Sequence, residues 1–390
     1  MLSEGRQRKR INILHVVPAF YPATYWGGPI TSLFGLCNSL AARPGLELKV
    51  LSTDTAGPRL SERLEVTQFP MRYPAGYDVF FTRRRWGKAV SPGLLTQLWP
   101  MIRWADVVHL TGTYSFPVIP TLLLCRMLRK PVVWSPQGAL QRWAGSSRPW
   151  AKWFWEQLCN ALLVKGRSVL HVTSRDEGHK SASRIPRADI ACIPNGIDLP
   201  ILPRARAWKT GGGLHLLYIG RLDPIKGIEN LLVALPKVSG VETHLAICGR
   251  GATDYEEELQ RLVSKLGLGE RVHFRGMTHG EAKTRVFLEA DLCVVPSFTE
   301  NFGMVVAEAL AHGVPVIASR GTPWAELELR DCGLWVDNSP ESLAKAITSM
   351  SQRNLQDMGM KGRQWMETAF CWQTIAGRVS ELYMKLIPKQ

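Results

Sequence analysis

Short apolar runs rich in β-branched residues alternate with longer mixed segments along almost the whole chain. Such alternation is typical of a parallel sheet, in which a helix connects each strand to the next. The runs form two series, separated by a stretch rich in Pro, Arg and Gly. The sequence therefore predicts two doubly wound α/β domains, with strands at 11–17, 46–52, 107–110, 132–135, 169–173 and 190–193, and then at 214–219, 243–248, 272–274, 292–295, 314–318 and 333–336.

The length of 390 residues is enough for two domains of ordinary size. A turn cluster at 193–198 precedes residues 199–213, which show no apolar period, so we place the linker there. We expect an N-terminal domain at 1–198, a C-terminal domain at 199–371 and a final helix at about 372–390 that can pack back on the first domain. A cleft between the domains would bind ligands beyond the carboxyl ends of the strands.

The net charge of +15 is concentrated in the first half of the chain. Residues 1–198 contain 26 basic and 12 acidic side chains, net +14, whereas residues 199–390 contain 22 and 21, net +1. Basic clusters lie at 6–10, 83–88 and 126–130. An aromatic and basic stretch follows at 143–165, and its aromatic residues are Trp143, Trp150, Trp153, Phe154 and Trp155.

Basic residues mixed with Trp suit the interface of an anionic membrane, and a solvated basic face over a Trp-rich core is the competing interpretation. We expect no nucleic-acid partner, because no zinc-finger or RNA-recognition signature accompanies the charge. No apolar run reaches the roughly 20 residues that span a bilayer, and no signal peptide is evident. We therefore expect a cytoplasmic protein, peripheral at the inner face of the plasma membrane.

The eight cysteines contain no Cys-x-x-Cys pair and lie mostly in apolar contexts. Reduced, buried thiols are the expectation, and no metal cluster is predicted.

Gly27 and Gly28 lie between the first two predicted strands, ahead of a predicted helix at 32–42. A glycine pair at a strand-to-helix turn lets backbone amides approach an anion, although many such pairs are simple turns.

In the second half, loops with distinctive residues follow successive predicted strands. Arg221 and Lys226 follow the first, within a segment bounded by Gly220 and Gly227, and they are typical of a diphosphate site at a helix start. Gly249 to Gly251 follows the next strand and lacks the third glycine of a dinucleotide fingerprint. Because these loops all leave carboxyl ends of strands, we expect them to line one rim.

The stretch 296–320 carries two carboxylates, Glu300 in a loop and Glu308 on a helix that begins near Gly303. That helix is otherwise made of Met, Val, Ala and Leu, so it should be buried. An unpaired carboxylate is costly there, and we expect Glu308 to have a hydrogen-bonding partner.

Several segments together resemble one enzyme family. They are Gly220-Arg221-Leu222 with Lys226-Gly227, the glycines at 249–251, and Ser297-x-x-Glu300-x-Phe302-Gly303 continuing through Glu308-Ala309 to Pro315-Val316-Ile317-Ala318. This set resembles the retaining, nucleotide-sugar-dependent GT-B glycosyltransferases of family 4, of the type that builds glycans and exopolysaccharides. The resemblance implies the GT-B architecture, with two Rossmann-like domains that face a central cleft. The first domain would bind the acceptor and the second the nucleotide sugar.

The resemblance also implies roles for individual residues. Glu308 would accept the ribose hydroxyls, and Glu300 would bind hydroxyls of the transferred sugar. Arg221 and Lys226 would stabilise the leaving diphosphate. Other donor-binding positions, several through backbone atoms, would be Gly27, Gly28, Gly249, Met277, Asn301, Phe302, Gly303, Met304 and Val305.

The first half departs from the family pattern. Relatives often carry Asp-x-x-His-x-His, whereas this chain keeps His109 and has Thr111 at the second histidine position, and Gln137 stands where many members have His. His109 is therefore a candidate catalytic residue and equally a candidate core histidine. No Asp-x-Asp pair occurs in the sequence, so we expect no metal and no cofactor besides the donor substrate.

The resemblance implies a retaining hexosyltransferase. It would transfer a hexose from a nucleotide diphosphate sugar, with a UDP-sugar favoured, to a growing, lipid-linked glycan of the bacterial surface or an exopolysaccharide. Two alternatives stay open, namely a nucleotide-sugar epimerase of the same fold and a non-catalytic scaffold that binds membrane or glycan.

Overall fold

The computed structural model describes residues 10–66, 68–87, 89–141, 148–203 and 213–387. Some residues of the basic clusters and most of the predicted linker lie outside these ranges. The residues concerned are Arg6, Arg8, Lys9 and Lys88, together with Trp143 of the aromatic stretch. The chain divides into two compact units, one made of residues 1–196 and 372–390 and the other of residues 197–371.

Unit 1 is built on an eight-stranded sheet in the order β3-β4-β2-β1-β5-β6-β7-β8. Its strands pair in parallel except for β3, which is antiparallel to β4. The strands are β1 (Ile11–Val16), β2 (Leu46–Thr53), β3 (Met71–Arg72), β4 (Asp78–Thr82), β5 (Val107–Thr111), β6 (Val132–Ser135), β7 (Ser168–Val172) and β8 (Asp189–Cys192). The first five helices are α1 (Gly28–Ala41), α2 (Pro92–Trp104), α3 (Val118–Met127), α4 (Pro149–Leu162) and α5 (Arg175–Arg184).

Unit 2 has a six-stranded, fully parallel sheet in the order β11-β10-β9-β12-β13-β14. Its strands are β9 (Leu214–Ile219), β10 (Thr243–Cys248), β11 (Val272–Gly276), β12 (Leu292–Val295), β13 (Val316–Ser319) and β14 (Gly333–Val336). Its helices are α6 (Ile228–Ala234), α7 (Thr253–Lys265), α8 (Gly280–Glu289), α9 (Met304–Ala311), α10 (Glu326–Leu329), α11 (Pro340–Ser351) and α12 (Leu355–Trp365).

The chain returns to unit 1 at its C-terminal end. A short π-helical turn (Met366–Phe370) follows α12, Cys371 is extended, and α13 (Trp372–Leu386) belongs to unit 1. Helix α13 corresponds to the final helix predicted at about 372–390. Helix α13 contributes Ile375, Ala376, Val379 and Tyr383 to the buried cluster beside α1.

Each sheet is covered by helices on both faces, as the alternation predicts. In unit 1, residues of α2, α3 and α4 share one apolar cluster, and residues of α1 and α13 share the other. In unit 2, α6, α7 and α11 cover one face, and α8, α9 and α12 contribute to the cluster on the other. No helix in the described ranges is both long enough and apolar enough to cross a bilayer.

Several sequence predictions need correction. Strands β3 and β4 were not predicted, because β4 is short, alternately buried, and directly followed by three arginines. The strand predicted at 314–318 is β13 at Val316–Ser319, since Gly313 is left-handed and the Val314 N–H still donates back to the Ala309 carbonyl of α9. The helix predicted at 32–42 begins four residues earlier, at Gly28, with Gly27 as its N-cap. Six of the eight cysteines are buried, whereas Cys192 is exposed and Cys371 is half-buried.

Candidate functional site

The loops after β9 and β10 touch through their backbones, and glycine makes this contact possible. A Cβ on Gly249 would lie 1.8 Å from the carbonyl oxygen of Gly220, and a Cβ on Gly251 would lie 2.1 Å from that of Leu222. The Leu222 N–H donates to the Arg250 carbonyl at 2.9 Å. Gly249, predicted as a donor-binding residue, therefore has a steric reason to be glycine that is independent of any ligand.

Lys226 and Glu300 form an ion pair at the carboxyl ends of β9 and β12. Lys226 Nζ lies 2.5 Å from Glu300 Oε1, and Ser297 Oγ donates to the same oxygen at 2.9 Å. The two charged side chains are 20% and 18% exposed, so solvent reaches both. An ammonium carries three N–H donors, and this contact uses one of them.

Close backbone packing fixes the loops that carry this pair. Gly227 is left-handed, and a Cβ there would lie 2.3 Å from the Pro296 carbonyl oxygen. The Glu300 N–H donates to the Gly321 carbonyl at 2.8 Å. The loops therefore hold Lys226 and Glu300 in place before any ligand is present.

Glu308 also has a cationic partner. Lys283 Nζ, on α8, lies 2.5 Å from Glu308 Oε1, and the Glu308 side chain is 20% exposed. Helix α9 is largely buried, as expected, whereas the Glu308 carboxylate itself is half-buried and lies against an ammonium. The expectation of a partner is met by Lys283, a residue that sequence reasoning did not select. The unpaired charge on an apolar helix was the signal that a cation was needed.

Helix α9 begins directly after Gly303, which is left-handed with φ 76°. The first amides of a helix have no partner within the helix, and its dipole favours negative charge at this end. Met304 and Val305 are half-buried there, and Asn301 lies in the preceding loop. Phe302 is different, because its side chain is buried with Trp324 and Phe370 and only its backbone is available for a ligand.

Arg221 and Met277 are held less tightly. The Arg221 guanidinium is 70% exposed and lies 3.3 Å from Asp223, whose carboxylate also caps the turn at Ile225. Met277 follows β11 and is 62% exposed. Beneath this surface the Tyr218 hydroxyl donates to the Arg221 carbonyl at 2.9 Å. Burial, and to a lesser extent the Glu300 carboxylate, raises the pKa of Tyr218 well above its usual value.

In unit 1, Gly27 and Gly28 form the start of α1. Gly27 is the N-cap with φ 68°, a conformation that favours glycine, and a Cβ there would meet no atom within 4 Å. This pair therefore leaves the amino end of a 14-residue helix sterically open.

His109 lies in the interior of unit 1, 1% exposed. Its Nδ1 is 2.6 Å from the Tyr383 hydroxyl of α13, and its Nε2 is 2.7 Å from Ser135 Oγ. The Tyr383 hydroxyl also lies 3.1 Å from His15 Nε2, and Ser135 Oγ lies 2.9 Å from His171 Nδ1. His109 is thus a core histidine satisfied by side chains on neighbouring strands and on the C-terminal helix.

His171, Ser135, His109, Tyr383 and His15 form a continuous series of hydrogen bonds, which we call the histidine chain. One carbonyl fixes the direction of every hydrogen bond in it. The Ile193 carbonyl, 3.0 Å from His171 Nε2, can only accept, so in neutral His171 the Nδ1 accepts the Ser135 proton. Ser135 then accepts from His109 Nε2, and His109 Nδ1 accepts from Tyr383. Tyr383 in turn accepts from His15 Nε2, whose Nδ1 is left to accept from the Cys37 thiol at 3.8 Å.

All three histidines of the histidine chain are held neutral. Burial, and to a lesser extent His171, lowers the pKa of His15 to about 3. Burial also lowers the pKa of His171 to about 4. Burial followed by the two neighbouring histidines lowers the pKa of His109 well below its usual value. Such a group is a poor general base at neutral pH when it is sealed from solvent.

Thr111 and Gln137, the other two departures from the family pattern, lie beside the histidine chain. Thr111 is 7% exposed, and its hydroxyl has no hydrogen-bond partner within the described ranges. Gln137 has a left-handed backbone with φ 50°. Both line a cavity of about 20 Å³, together with Asn195 and Trp372, which is room for a single water.

The two halves of the chain match two glycosyltransferase models. Residues 206–365 match glycosyl transferases group 1, and residues 26–200 match Glycosyltransferase Family 4. The structure of Anabaena Alr3699/HepE in complex with UDP superposes with a TM-score of 0.73 at 18% identity, covering 96% of this chain and 100% of that chain. The chain has the GT-B glycosyltransferase architecture.

Curated relatives of this GT-B chain include two named enzymes. A D-inositol 3-phosphate glycosyltransferase from Corynebacterium glutamicum is 31% identical over 259 residues, covering 60% of this chain and 61% of the relative. A GDP-mannose-dependent alpha-(1-6)-phosphatidylinositol monomannoside mannosyltransferase from Mycobacterium tuberculosis is 28% identical over 271 residues, covering 62% and 70%. The chain spans about half the length of the curated relatives it matches, with values of 44%, 61% and 58% for three of them.

Proposed function

We propose that the chain transfers a hexose, with retention, from a nucleotide diphosphate sugar to a growing, lipid-linked glycan of the bacterial surface or an exopolysaccharide. Unit 2 would bind the donor and unit 1 the acceptor. The protein would work in the cytoplasm, at the inner face of the plasma membrane. The observation that carries this proposal is the presence of two half-buried ion pairs, Lys226–Glu300 and Lys283–Glu308, in the unit that matches glycosyl transferases group 1.

Half-exposed ion pairs suit the exchange of one partner for a ligand. Glu308 would accept the two ribose hydroxyls, while the contact with Lys283 keeps the carboxylate oriented. Ser297 and Lys226 both contact Glu300 Oε1, and the other carboxylate oxygen of Glu300 would accept from hydroxyls of the hexose. The backbone near Met277 and Gly249 would contact the base and the phosphates.

In the reaction, the bond from the anomeric carbon to the diphosphate oxygen breaks and a bond to the acceptor oxygen forms on the same face. The acceptor proton passes to the leaving phosphate oxygen, so no protein nucleophile is needed. Negative charge grows on the diphosphate, and Arg221, Lys226 and the amides from Asn301 to Val305 would stabilise it. Stabilisation by these cationic side chains and amides supports a reaction that proceeds without a metal ion or another cofactor.

Binding of nucleoside diphosphates to Glu308→Gln tests the proposal. The variant keeps the shape of the side chain and removes its charge, so titration calorimetry should show an affinity at least about tenfold lower, the value of one charge-assisted hydrogen bond. Glu341→Gln is the matched control, because Glu341 pairs with Lys237 in the same unit on an exposed surface. If neither UDP nor GDP binds the unchanged protein, or if both variants bind equally well, the proposal is wrong.

The same calorimetric assay decides the base of the donor. We favour a UDP-sugar, and the M. tuberculosis relative makes GDP-mannose the alternative to include. Saturable binding of UDP with at least tenfold weaker binding of GDP would support our choice, as a rough threshold for one lost base contact. Turnover of each nucleotide sugar, measured as release of the nucleoside diphosphate, then identifies the hexose.

A further inference from the structure

Helix α4 presents an apolar face to solvent. Trp150, Trp153 and Phe154 are 76%, 57% and 65% exposed, and Leu158 continues the same stripe one turn later. These positions follow the helical spacing i, i+3, i+4 and i+8, so they share one side of the helix. Large side chains exposed as a group, unlike single exposed ones, indicate a surface that contacts something.

The opposite side of α4 already anchors the helix to unit 1. Glu156 is buried, accepts a hydrogen bond from the Tyr114 hydroxyl and lies 3.5 Å from Arg184. Trp155 Nε1 donates to the Thr113 carbonyl at 2.9 Å. Within the described ranges, these contacts of α4 with unit 1 are made by Glu156 and Trp155, and the outer aromatic residues are largely exposed.

The neighbouring helices extend this face. Helix α2 exposes Leu95 and Trp99, and helix α3 exposes Leu123 and Met127. Residues of α2, α3 and α4 cover the same face of the sheet and share one apolar cluster. Each of the three helices follows a strand of a parallel array, so the three run in the same direction. We call their outward side the α2–α4 face.

Cations gather at the carboxyl ends of these helices. Arg103 ends α2, Arg126 ends α3, and Lys165 follows α4. Arg126 donates to the Ala161 carbonyl at 3.0 Å, near the end of α4, which leaves most of its five N–H donors for other partners. Exposed basic side chains therefore lie near the carboxyl ends of the same three helices that expose these apolar residues.

Acidic residues are nearly absent from this part of the chain. Residues 92–167 contain nine Lys and Arg and two acids, net +7. Both acids are engaged, because Glu156 is buried and Asp106 accepts the Asn12 N–H at 2.9 Å. Exposed Trp and Phe beside unopposed cations fit the interface of an anionic bilayer, where aromatic rings lie at the headgroup level and cations meet lipid phosphates.

We propose that the α2–α4 face docks unit 1 on an anionic lipid bilayer, with the aromatic residues of α4 inserted at the headgroup level. The inference rests on the proposed function, whose lipid-linked acceptor it would place near the protein. A second copy of the chain is the other occupant to test.

Sedimentation with vesicles tests the docking. The full chain should bind vesicles of phosphatidylcholine mixed with phosphatidylglycerol, bind pure phosphatidylcholine at least about tenfold more weakly, and lose affinity at high salt. Arg126→Gln should weaken binding about fivefold, the value of one cation near a charged surface. The triple variant Trp150→Ala/Trp153→Ala/Phe154→Ala should weaken it by at least about a hundredfold.

Two controls make the result specific. Tyr25→Ala removes an aromatic side chain that is 65% exposed just before α1, which covers the other face of the sheet, and it should leave vesicle binding unchanged. Calorimetric binding of UDP should be unchanged in the triple variant, which separates failure of docking from failure of the proposed function. Docking is overturned if the triple variant sediments like the unchanged protein, or if the chain is a lipid-free dimer that this variant converts to monomers.

Discussion

The polar groups of the two units are arranged in opposite ways on similar sheets. In unit 2 the Lys226–Glu300 pair lies in loops after strands and the Lys283–Glu308 pair joins α8 to α9, and all four side chains are 18% to 31% exposed. In unit 1 the histidine chain runs through the middle of the sheet, where His15, His109 and His171 are almost inaccessible. The partly exposed ion pairs of unit 2 can exchange a protein partner for a ligand, whereas the buried histidines of unit 1 hold the fold together.

The largest expected effect is a loss of stability of unit 1 in acid. The three histidines are neutral in the folded protein, and their pKa values there are lowered below the unfolded value of about 6.5. Below that pH the unfolded chain binds more protons than the folded one. The contribution of the three neutral histidines to the free energy of unfolding is therefore fully present above about pH 6.5 and is lost as the pH decreases. Between pH 7 and pH 5 we expect a loss of about 5 kcal/mol, measured by urea unfolding.

A matched variant shows whether the histidines cause this loss. His171→Gln removes one of the three groups, so its stability should depend on pH about one third less steeply, whatever its stability at pH 7. His279→Gln, which changes an exposed histidine of unit 2, should leave the slope unchanged. An equal slope in all three proteins would contradict the assignment.

Tyr383→Phe should produce the next largest effect. The hydroxyl links His15 to His109, so its removal leaves a donor on one ring and an acceptor on the other without partners in the core. We expect about 3 kcal/mol of destabilisation at neutral pH, since each buried unsatisfied group costs about 1 to 3 kcal/mol. Tyr25→Phe, at a side chain that is 65% exposed, is the control and should change the free energy of unfolding very little. Equal stability of the two variants would mean that the chain of hydrogen bonds contributes nothing.

The fold was largely predictable from the sequence, and the partners of polar groups were not. Strands such as β9, β10 and β12 are buried on both faces, so they appear as continuous apolar runs, and their predicted bounds are those of the structure. Tyr383 lies 274 residues from His109, and Lys283 lies on a different helix from Glu308. Contacts of this kind depend on how the strands are ordered and how helices return to them, which no local pattern records.

The proposed transfer reaction gives the comparison a kinetic test. Lys226→Met removes a cation that would stabilise the leaving diphosphate, so kcat/KM for the donor should fall about a hundredfold, the scale of one preorganised electrostatic contact. Lys237→Met is the control, because Lys237 also pairs with a glutamate in unit 2, on an exposed surface. A matching decrease in both variants, or none in Lys226→Met, would place the Lys226–Glu300 pair among structural contacts.

The smallest expected effect concerns Thr111, at the carboxyl end of β5. Its buried hydroxyl has no partner within the described ranges, in contrast to the satisfied histidine chain beside it. If the hydroxyl serves only the fold, Thr111→Val should raise the free energy of unfolding by about 1 kcal/mol, because an unsatisfied polar group is replaced by a methyl of the same shape. If it instead binds a substrate hydroxyl, the same variant should be more stable and slower in transfer, with donor affinity unchanged. Stability and kcat measured together on this one variant therefore decide whether a polar group of unit 1, like the ion pairs of unit 2, serves a ligand and not only the fold.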